Sequence, residues 1–410
     1  MLELRDYQIK GRDFLKENKK VLLADSVGLG KSIQALTAAE IPVLLACPTY
    51  LMRQWKGYIK NQYPCASVSL CEGSRSLREK ELSLNTDFTI INIEMLRTFE
   101  FKRKYKTFIV DEAHNLAGRN AQQSKNARKL AKEIPNVYLL TATPIRNTPD
   151  DLYMQLSILD YKNFSSYHRF VSDYCSVVET PWKIQVVGIS NPEKLRRDLE
   201  KYMLRRTYSD AGRTLPPLIE EVITIKPTDF WRKKYNDIKN QYSIEDINFK
   251  NAMEVYTVLR QVTLCDEKLD VVKNLINDIH DDAGTIIFTW YRNSAYEVGE
   301  YLKVPYITGD VSANERIDIA KNNKVIVANI AALGTGVDLS NKNNIIFLEE
   351  DHSPSRMEQA IGRVQRDRLS TDPVRIFYIH IDKTLDQHVH NSRGNKEATI
   401  LQVLKDEYVS

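Results

Sequence analysis

Three groups of residues in this chain have the types and spacing for phosphate chemistry. In the run SVGLGKS, Gly28 and Gly30 let the backbone curl so that successive N–H groups face an anion. Lys31 adds a positive charge suited to β- and γ-phosphates, and Ser32 a hydroxyl suited to Mg2+, at the start of a helical IQALTAAE. The strict pattern G-x-x-x-x-G-K-[ST] wants glycine where this chain has Asp25, so GLGKS alone is also compatible with an ordinary glycine turn. The second group is DEAH at 111–114, directly after the apolar TFIV. Acids at the exit of a buried strand are costly unless a cation meets them. Asp111 is therefore predicted to hold Mg2+, and Glu112 to orient or deprotonate an attacking water. The third group is QAIGRVQRD (359–367), where Arg363 and Arg366 are three apart and share a face if the segment is helical. Two such arginines alone are most often a solvated face. Beside the first two groups they suit the stabilisation of charge developing on a γ-phosphate, as an arginine finger does.

Elements that could position these residues are visible in the hydropathy pattern. Apolar runs at 21–25, 43–48, 88–93, 107–113 and 137–143 are each followed by a turn residue and a segment of helical period. Such continuous runs suit parallel strands buried on both faces. The rhythm restarts at 285–290, 304–309, 324–329, 344–350 and 374–381. The fold class predicted is α/β, with two lobes, each a parallel sheet flanked by helices. Residues 150–280 read as mostly helical, with Leu152, Leu156 and Leu159 at helical spacing, and the prolines of LPPLIEE (215–221) mark a hinge. The division expected is a first lobe at 1–150, a helical extension at 151–207, a linker at 208–228, a second lobe at 229–395 and a C-terminal helix at 396–410.

Composition narrows the function classes. At 410 residues the chain is long enough for two domains. A formal charge of +4 and a pI near 8.5 are too mild to indicate nucleic-acid binding by themselves, so any basic track must be local. The five cysteines are scattered and never form a C-x-x-C pair, which argues against a zinc site and suits a reducing compartment. The N-terminus lacks the apolar segment of a secretory signal, and no apolar run approaches the roughly 18 residues of a membrane span. The expectation is a soluble cytoplasmic protein.

Taken together, these motifs resemble superfamily 2 helicases and translocases, and more narrowly their Snf2-like branch. LELRDYQIKG resembles the adenine-reading Q motif, and ADSVGLGKSIQAL the branch's phosphate loop, whose missing first glycine is a habit of the branch. LLACPTYLMRQW resembles motif Ia, INIEMLR motif Ib and LLTATPIRN motif III. YMLRRTYSDAGRTLPPLIEE is similar to the stretch that joins the lobes in that branch. In the second half, TIIFTWYRNSA, ANIAALGTGVDLS and QAIGRVQR resemble motifs IV, V and VI. Ser26, His352 and Gln365 depart from the usual residues, and the glycine-glutamine that usually follows motif VI is replaced. Those departures, and the lack of large insertions, point away from nucleosome remodellers and toward minimal bacterial or bacteriophage fork- and junction-remodelling helicases.

The resemblance implies two RecA-like lobes with an ATP cleft between them. It places Arg5, Gln8, Gly28, Leu29, Gly30, Lys31, Ser32 and Gln359 at ATP, with Ser32 and Asp111 on Mg2+. His114, Thr141, Thr143, Gly336 and Asp338 would couple hydrolysis to the track, and ATP and Mg2+ are the only cofactors implied. Thr49, Arg53, Trp55, Arg97, Trp290, Arg292 and Thr335 match the family's DNA contacts, although either tryptophan is equally compatible with a core position. FKRKYK (101–106) reads as a basic DNA patch or as a solvated turn. The function implied is ATP-driven movement along duplex or branched DNA, independent of sequence, by a monomer that serves replication, recombination or repair. An RNA helicase of the DEAH type and a motor that strips proteins from DNA are the alternatives. No strand-splitting wedge is identifiable in the sequence.

Overall fold

The five apolar runs of the first half and the five of the second each become neighbouring strands of a parallel sheet. The structure, a computed structural model, describes residues 3–180, 183–241, 249–279, 284–335, 337–366 and 372–404. The chain divides into two compact units, one through Arg213 and resumed from Lys396, the other from Thr214 to Asn395.

The first unit carries β1 (Lys20–Leu23), β2 (Val43–Cys47), β3 (Val68–Leu70), β4 (Phe88–Asn92), β5 (Thr107–Asp111), β6 (Asn136–Leu140), β7 (Cys175–Thr180), β8 (Lys183–Ile189) and β9 (Met203–Leu204). Seven of these form one parallel sheet in the order β3-β4-β2-β5-β6-β1-β9. Strands β2, β4, β5 and β6 are buried along their whole length, because helices cover both faces. Two apolar clusters fill the two sides, one with Leu22, Leu44, Phe108 and Val137, the other with Val21, Leu45, Ile109 and Tyr138. All the connections run through helices, so the ends of β1, β5 and β6 lie side by side on the carboxyl edge. Open α/β sheets bind ligands at that edge.

The second unit carries β10 (Leu218–Ile225), β11 (Thr285–Thr289), β12 (Tyr306–Ile307), β13 (Val325–Asn329), β14 (Asn344–Phe347) and β15 (Val374–Ile381). They form a parallel sheet in the order β10-β15-β14-β11-β13-β12.

The structure corrects three expectations about organisation. The segment 151–207 is not wholly helical: β7 and β8 pair as an antiparallel hairpin between the helices Asp151–Leu159, Tyr167–Tyr174 and Pro192–Leu199. The β-branched pairs Val177–Val178 and Val186–Val187 favour that ribbon over a helix. The segment 208–228 is not a free linker, because β10 within it pairs along its whole length with β15 and belongs to the second unit. LIEEVITI follows LPP as a strand, so the prolines end one element and precede another. The closing helix starts at Leu385 rather than 396, and from Lys396 onward it counts with the first unit. Among the described residues no helix is long and apolar enough to cross a membrane.

Candidate functional site

Strand β1 ends at Leu23, and the next residues turn into the helix Lys31–Ala38 through Gly28 and Gly30, with φ of 85° and 75°. Both lie in the left-handed region that other residues rarely adopt. A Cβ at Gly30 would also sit 2.5 Å from the Gln8 side-chain nitrogen. Lys31, first in the helix, donates from Nζ to the carbonyls of Asp25 (2.6 Å) and Ser26 (3.1 Å), so its ammonium lies inside the curl of the loop. Ser32 follows at the helix start, half-buried. Gln8, on the helix Asp6–Asn18, donates to the Leu29 carbonyl at 3.3 Å, and its own oxygen accepts from the Arg5 backbone N–H at 3.0 Å. The Q-motif residues and the phosphate loop are thus in one place.

A clamp that sequence reading did not find holds this loop from behind. Asp25, where the strict pattern has glycine, is fully buried and accepts from Arg206 and from Gln34 at 3.1 Å. Arg206 also donates to the Gln34 side-chain oxygen at 2.7 Å and to the Tyr7 carbonyl. Arg205 donates to the carbonyls of Ala24 and Ala142, both at 2.9 Å, and the Tyr208 hydroxyl donates to the Val27 carbonyl at 2.7 Å. The LRRTY segment is therefore a brace for the ends of β1 and β6. Its signal was present, as two adjacent arginines and a lone aspartate in a loop expected to be glycine.

Strand β5 delivers Asp111 at its last position, nine-tenths buried. Burial and the neighbouring Glu112 push its carboxyl up to about 6, against the opposing pull of Trp55 and Lys31. Asp111 at the end of β5 and the Ser32 hydroxyl at the helix start offer the hard oxygen donors that suit Mg2+. Glu112 has φ of 52°, a strained value for a side-chain-bearing residue, which turns it out of the strand line. Its carboxylate lies 3.2 Å from His114 Nδ1, and that nitrogen is 3.0 Å from the Thr141 hydroxyl. The Thr141 oxygen in turn accepts from the Thr143 backbone N–H at 3.1 Å. The structure joins His114, Thr141 and Thr143 by hydrogen bonds and places the Glu112 carboxylate against the His114 end of that chain.

Of the track candidates in this unit, Thr49, Arg53 and Arg97 are exposed. They sit just beyond the ends of the adjacent strands β2 and β4. Trp55 is a correction. It is 1% exposed, and its indole N–H donates to Asp111 Oδ2 at 2.8 Å. It cannot stack on a nucleic acid from there. In FKRKYK, Tyr105 is buried and Arg103 donates to the Thr86 carbonyl, so only Lys102, Lys104 and Lys106 remain exposed as a basic face.

In the second unit the helix Pro354–Val364 carries Gln359 and Arg363, both half-buried. The helix stops at Val364 and Gln365 is extended, with ψ of 95°, so Arg366 does not share a helical face with Arg363. Gln365 causes the break by donating from its side chain to the Pro216 carbonyl at 2.7 Å. The Arg366 Nε is buried without a hydrogen-bond partner among the described residues. Asp338 is exposed and its carboxylate accepts from the Ser340 N–H at 2.9 Å, while the Leu339 N–H donates to the Arg363 carbonyl at 3.1 Å. Thr335 falls in the short turn Ile330–Thr335, and Gly336 lies outside the described residues. Trp290 is half-buried with the Arg356 guanidinium over its ring, and Arg292 is exposed in an ion pair with Asp310 at 3.1 Å.

A buried cluster joins Glu350, His380, His390 and Arg393. His380 lies 2.6 Å and His390 3.0 Å from one carboxylate oxygen, and Arg393 donates to the other at 2.9 Å. The two histidines and the acid have the spacing of metal ligands. The guanidinium on the same carboxylate opposes a cation, and the arrangement is a satisfied ion network.

The SNF2-related domain family matches residues 7–272, and the helicase conserved C-terminal domain family residues 267–368. The chain is 27% identical over 97% of its length to a Caenorhabditis elegans homolog of "SWI/SNF-related matrix-associated actin-dependent regulator of chromatin subfamily A-like protein 1", of which it covers 61%. It is 25% identical over 91% of its length to the human "DNA annealing helicase and endonuclease ZRANB3", covering 37% of that protein. The chain thus spans less than two thirds of either relative. Among solved structures, the Sulfolobus solfataricus SWI2/SNF2 ATPase core in complex with dsDNA matches 99% of this chain and 98% of its own, at 22% identity and a TM-score of 0.47.

Proposed function

Since the chain belongs to the SNF2-related domain family, we propose that it is a DNA-stimulated ATPase that moves along DNA and remodels branched structures. The observation that carries the ATPase is the assembly of Lys31, Ser32, Asp111 and Glu112 on the carboxyl edge of one sheet. DNA as the track is supported by the relatives' names, one of them a DNA annealing helicase, and by exposed Thr49, Arg53 and Arg97 on that same edge.

Lys31 leaves the loop carbonyls for the β- and γ-phosphates, and the loop N–H groups beside Gly28 and Gly30 take the remaining phosphate oxygens. Asp111 and Ser32 would hold Mg2+, which when bound shields phosphate charge. Glu112, turned out by its left-handed backbone, takes the proton of the attacking water. Its contact with His114 then passes the change in charge to Thr141 and Thr143. By the family resemblance, Arg363 and Arg366 are read as the residues that stabilise charge on the γ-phosphate. Thr49, Arg53, Arg97 and Arg292 hold phosphates, which positions the strand without reading sequence.

The test is ATP turnover with single-stranded, duplex, forked and four-way DNA and with RNA, at fixed salt. The proposal expects strong stimulation by DNA, greatest with branched forms, and little by RNA. Equal stimulation by RNA would instead support an RNA helicase.

A further inference from the structure

Trp55, within the first unit, lies on the helix that also carries Arg53 and touches Asp111. The helix Met52–Gln62 buries Met52, Trp55, Ile59 and Gln62, a stripe of helical spacing that faces the sheet. Arg53, two positions before Trp55 and so about 200° round the helix, faces outward with its side chain 83% exposed. Among the described residues Arg53 engages only Glu72 on the surface, at 3.3 Å, an exposed pair that is easily exchanged for a phosphate. On the inner face the indole donates to Asp111 Oδ2, while the Glu112 backbone N–H donates to Oδ1 at 3.0 Å. Both oxygens of the acid are thereby fixed, one by its own strand and one by this helix.

We propose that Trp55 is a positioning residue that sets the orientation of Asp111 and rigidly links that carboxylate to the helix bearing Arg53, so that DNA phosphate at Arg53 is felt at the metal-binding acid. The inference rests on the reading of Asp111 as the Mg2+ acid and of Arg53 as a DNA contact. Three features support it. An indole has a single donor and no acceptor, so its one polar interaction is committed to Asp111. The ring is held in the apolar cluster that contains Cys47, Met52 and Ile109, which leaves it no room to swing away. Outer-shell donors of this kind orient metal-binding carboxylates, and their loss commonly weakens metal affinity by roughly 10- to 100-fold.

The experiment replaces the donor and keeps the shape. Benzothienylalanine at position 55 in the full chain puts sulfur where the indole has N–H, and Trp55→Phe serves as the genetic counterpart. Mn2+ binding in the presence of ADP, followed by electron paramagnetic resonance without turnover, should weaken roughly tenfold or more. Duplex DNA affinity should stay at the parental value, while the ratio of DNA-stimulated to basal ATPase falls. Unchanged Mn2+ affinity in the benzothienyl protein would overturn the positioning role and leave Trp55 a core residue. Weakened Mn2+ binding with a parental stimulation ratio would overturn the link to the track. If DNA does not stimulate the parental enzyme, the proposed function fails and the link fails with it, whereas the Mn2+ titration still decides the positioning role.

Discussion

Arg206 grips Asp25 through two parallel hydrogen bonds, with Nε on one carboxylate oxygen at 3.0 Å and Nη2 on the other. The aspartate is fully buried and the arginine nearly so, with 12% of its side chain exposed. A buried pair of this geometry is costly to break from one side, because the remaining charge has neither water nor partner. The pair also fixes the first turn of the phosphate loop, since Asp25 offers its backbone carbonyl to Lys31.

Arg206→Ala should therefore destabilise the first unit by roughly 3–5 kcal/mol and weaken nucleotide binding with it. Asp25→Asn combined with Arg206→Gln should recover most of the stability, because neither partner is then a buried ion. Urea unfolding followed by far-ultraviolet dichroism checks both. A double variant no more stable than Arg206→Ala would show that the ion pair is not what Arg206 contributes.

Gly11 should tolerate no side chain. A Cβ there would lie 1.8 Å from the Gln34 oxygen and 2.6 Å from Arg206 Nη2. Long side chains usually step aside cheaply, but these two are locked into the clamp on Asp25. Gly11→Ala is expected to lower ATP affinity by releasing the loop, although residue 11 is not part of the loop itself. Fluorescent-nucleotide titration of Gly11→Ala beside Lys31→Ala measures this, and a parental affinity would show that the clamp yields.

Much of this architecture is legible in the sequence, and the exceptions have physical reasons. The continuous apolar runs identify ten of the strands because strands buried on both faces need no alternation. Strand β10 escapes notice because LIEEVITI has acids at its centre, compatible with an edge strand whose face is wet. The sequence leaves Trp55 open between track and core, and the helical stripe of Met52, Trp55, Ile59 and Gln62 favours the core. Arg366 leaves the predicted helix because Gln365 finds the Pro216 carbonyl, a long-range partner that no local pattern reveals.

The catalytic assignments give sharp expectations. Glu112→Gln should bind ATP and lose turnover, because the carboxamide fits the site and cannot accept a proton. Arg363→Ala and Arg366→Ala should lower kcat by up to roughly 10³-fold with a smaller change in nucleotide affinity. Pre-steady-state binding and turnover separate the two constants. Weakened binding at constant kcat would mark these arginines as ground-state contacts.

Acid should loosen the second unit through Glu350. Hydrogen bonds from His380 and His390 and the charge of Arg393 outweigh burial and hold its carboxyl down to about 2. A depressed carboxyl contributes stability that is complete above its ordinary value near 4.5 and is lost as pH falls toward 2. The full difference is on the order of 3 kcal/mol. Glu350→Gln should therefore be less stable than the parent at pH 7, with the gap closing between pH 4.5 and 2. Unfolding midpoints across that range test it, and a constant gap would mean the glutamate acts through packing alone.

The proposed preference for branched DNA gives the last expectation. Opening a plain duplex costs about 1.4 kcal/mol of stacking per step, and a wedge is needed to split the pairs. Moving a four-way junction breaks one pair for each pair it makes, so a bare translocase can drive it. The element that would change this balance is the hairpin of β7 and β8, where Val177, Val178, Ile184 and Val187 are 41–60% exposed. Val177 and Val178 are adjacent and so face opposite sides of the ribbon, leaving both faces wet. Replacing these four residues by threonine should leave folding intact, because little apolar area is buried there. Migration of a four-way junction should continue at the parental rate, and opening of a tailed duplex should stay slow in both proteins. A side-by-side assay at matched ATPase rates decides it. Fast opening of the tailed duplex by the parent, lost in the threonine variant, would make the hairpin a wedge and overturn the picture of a bare translocase.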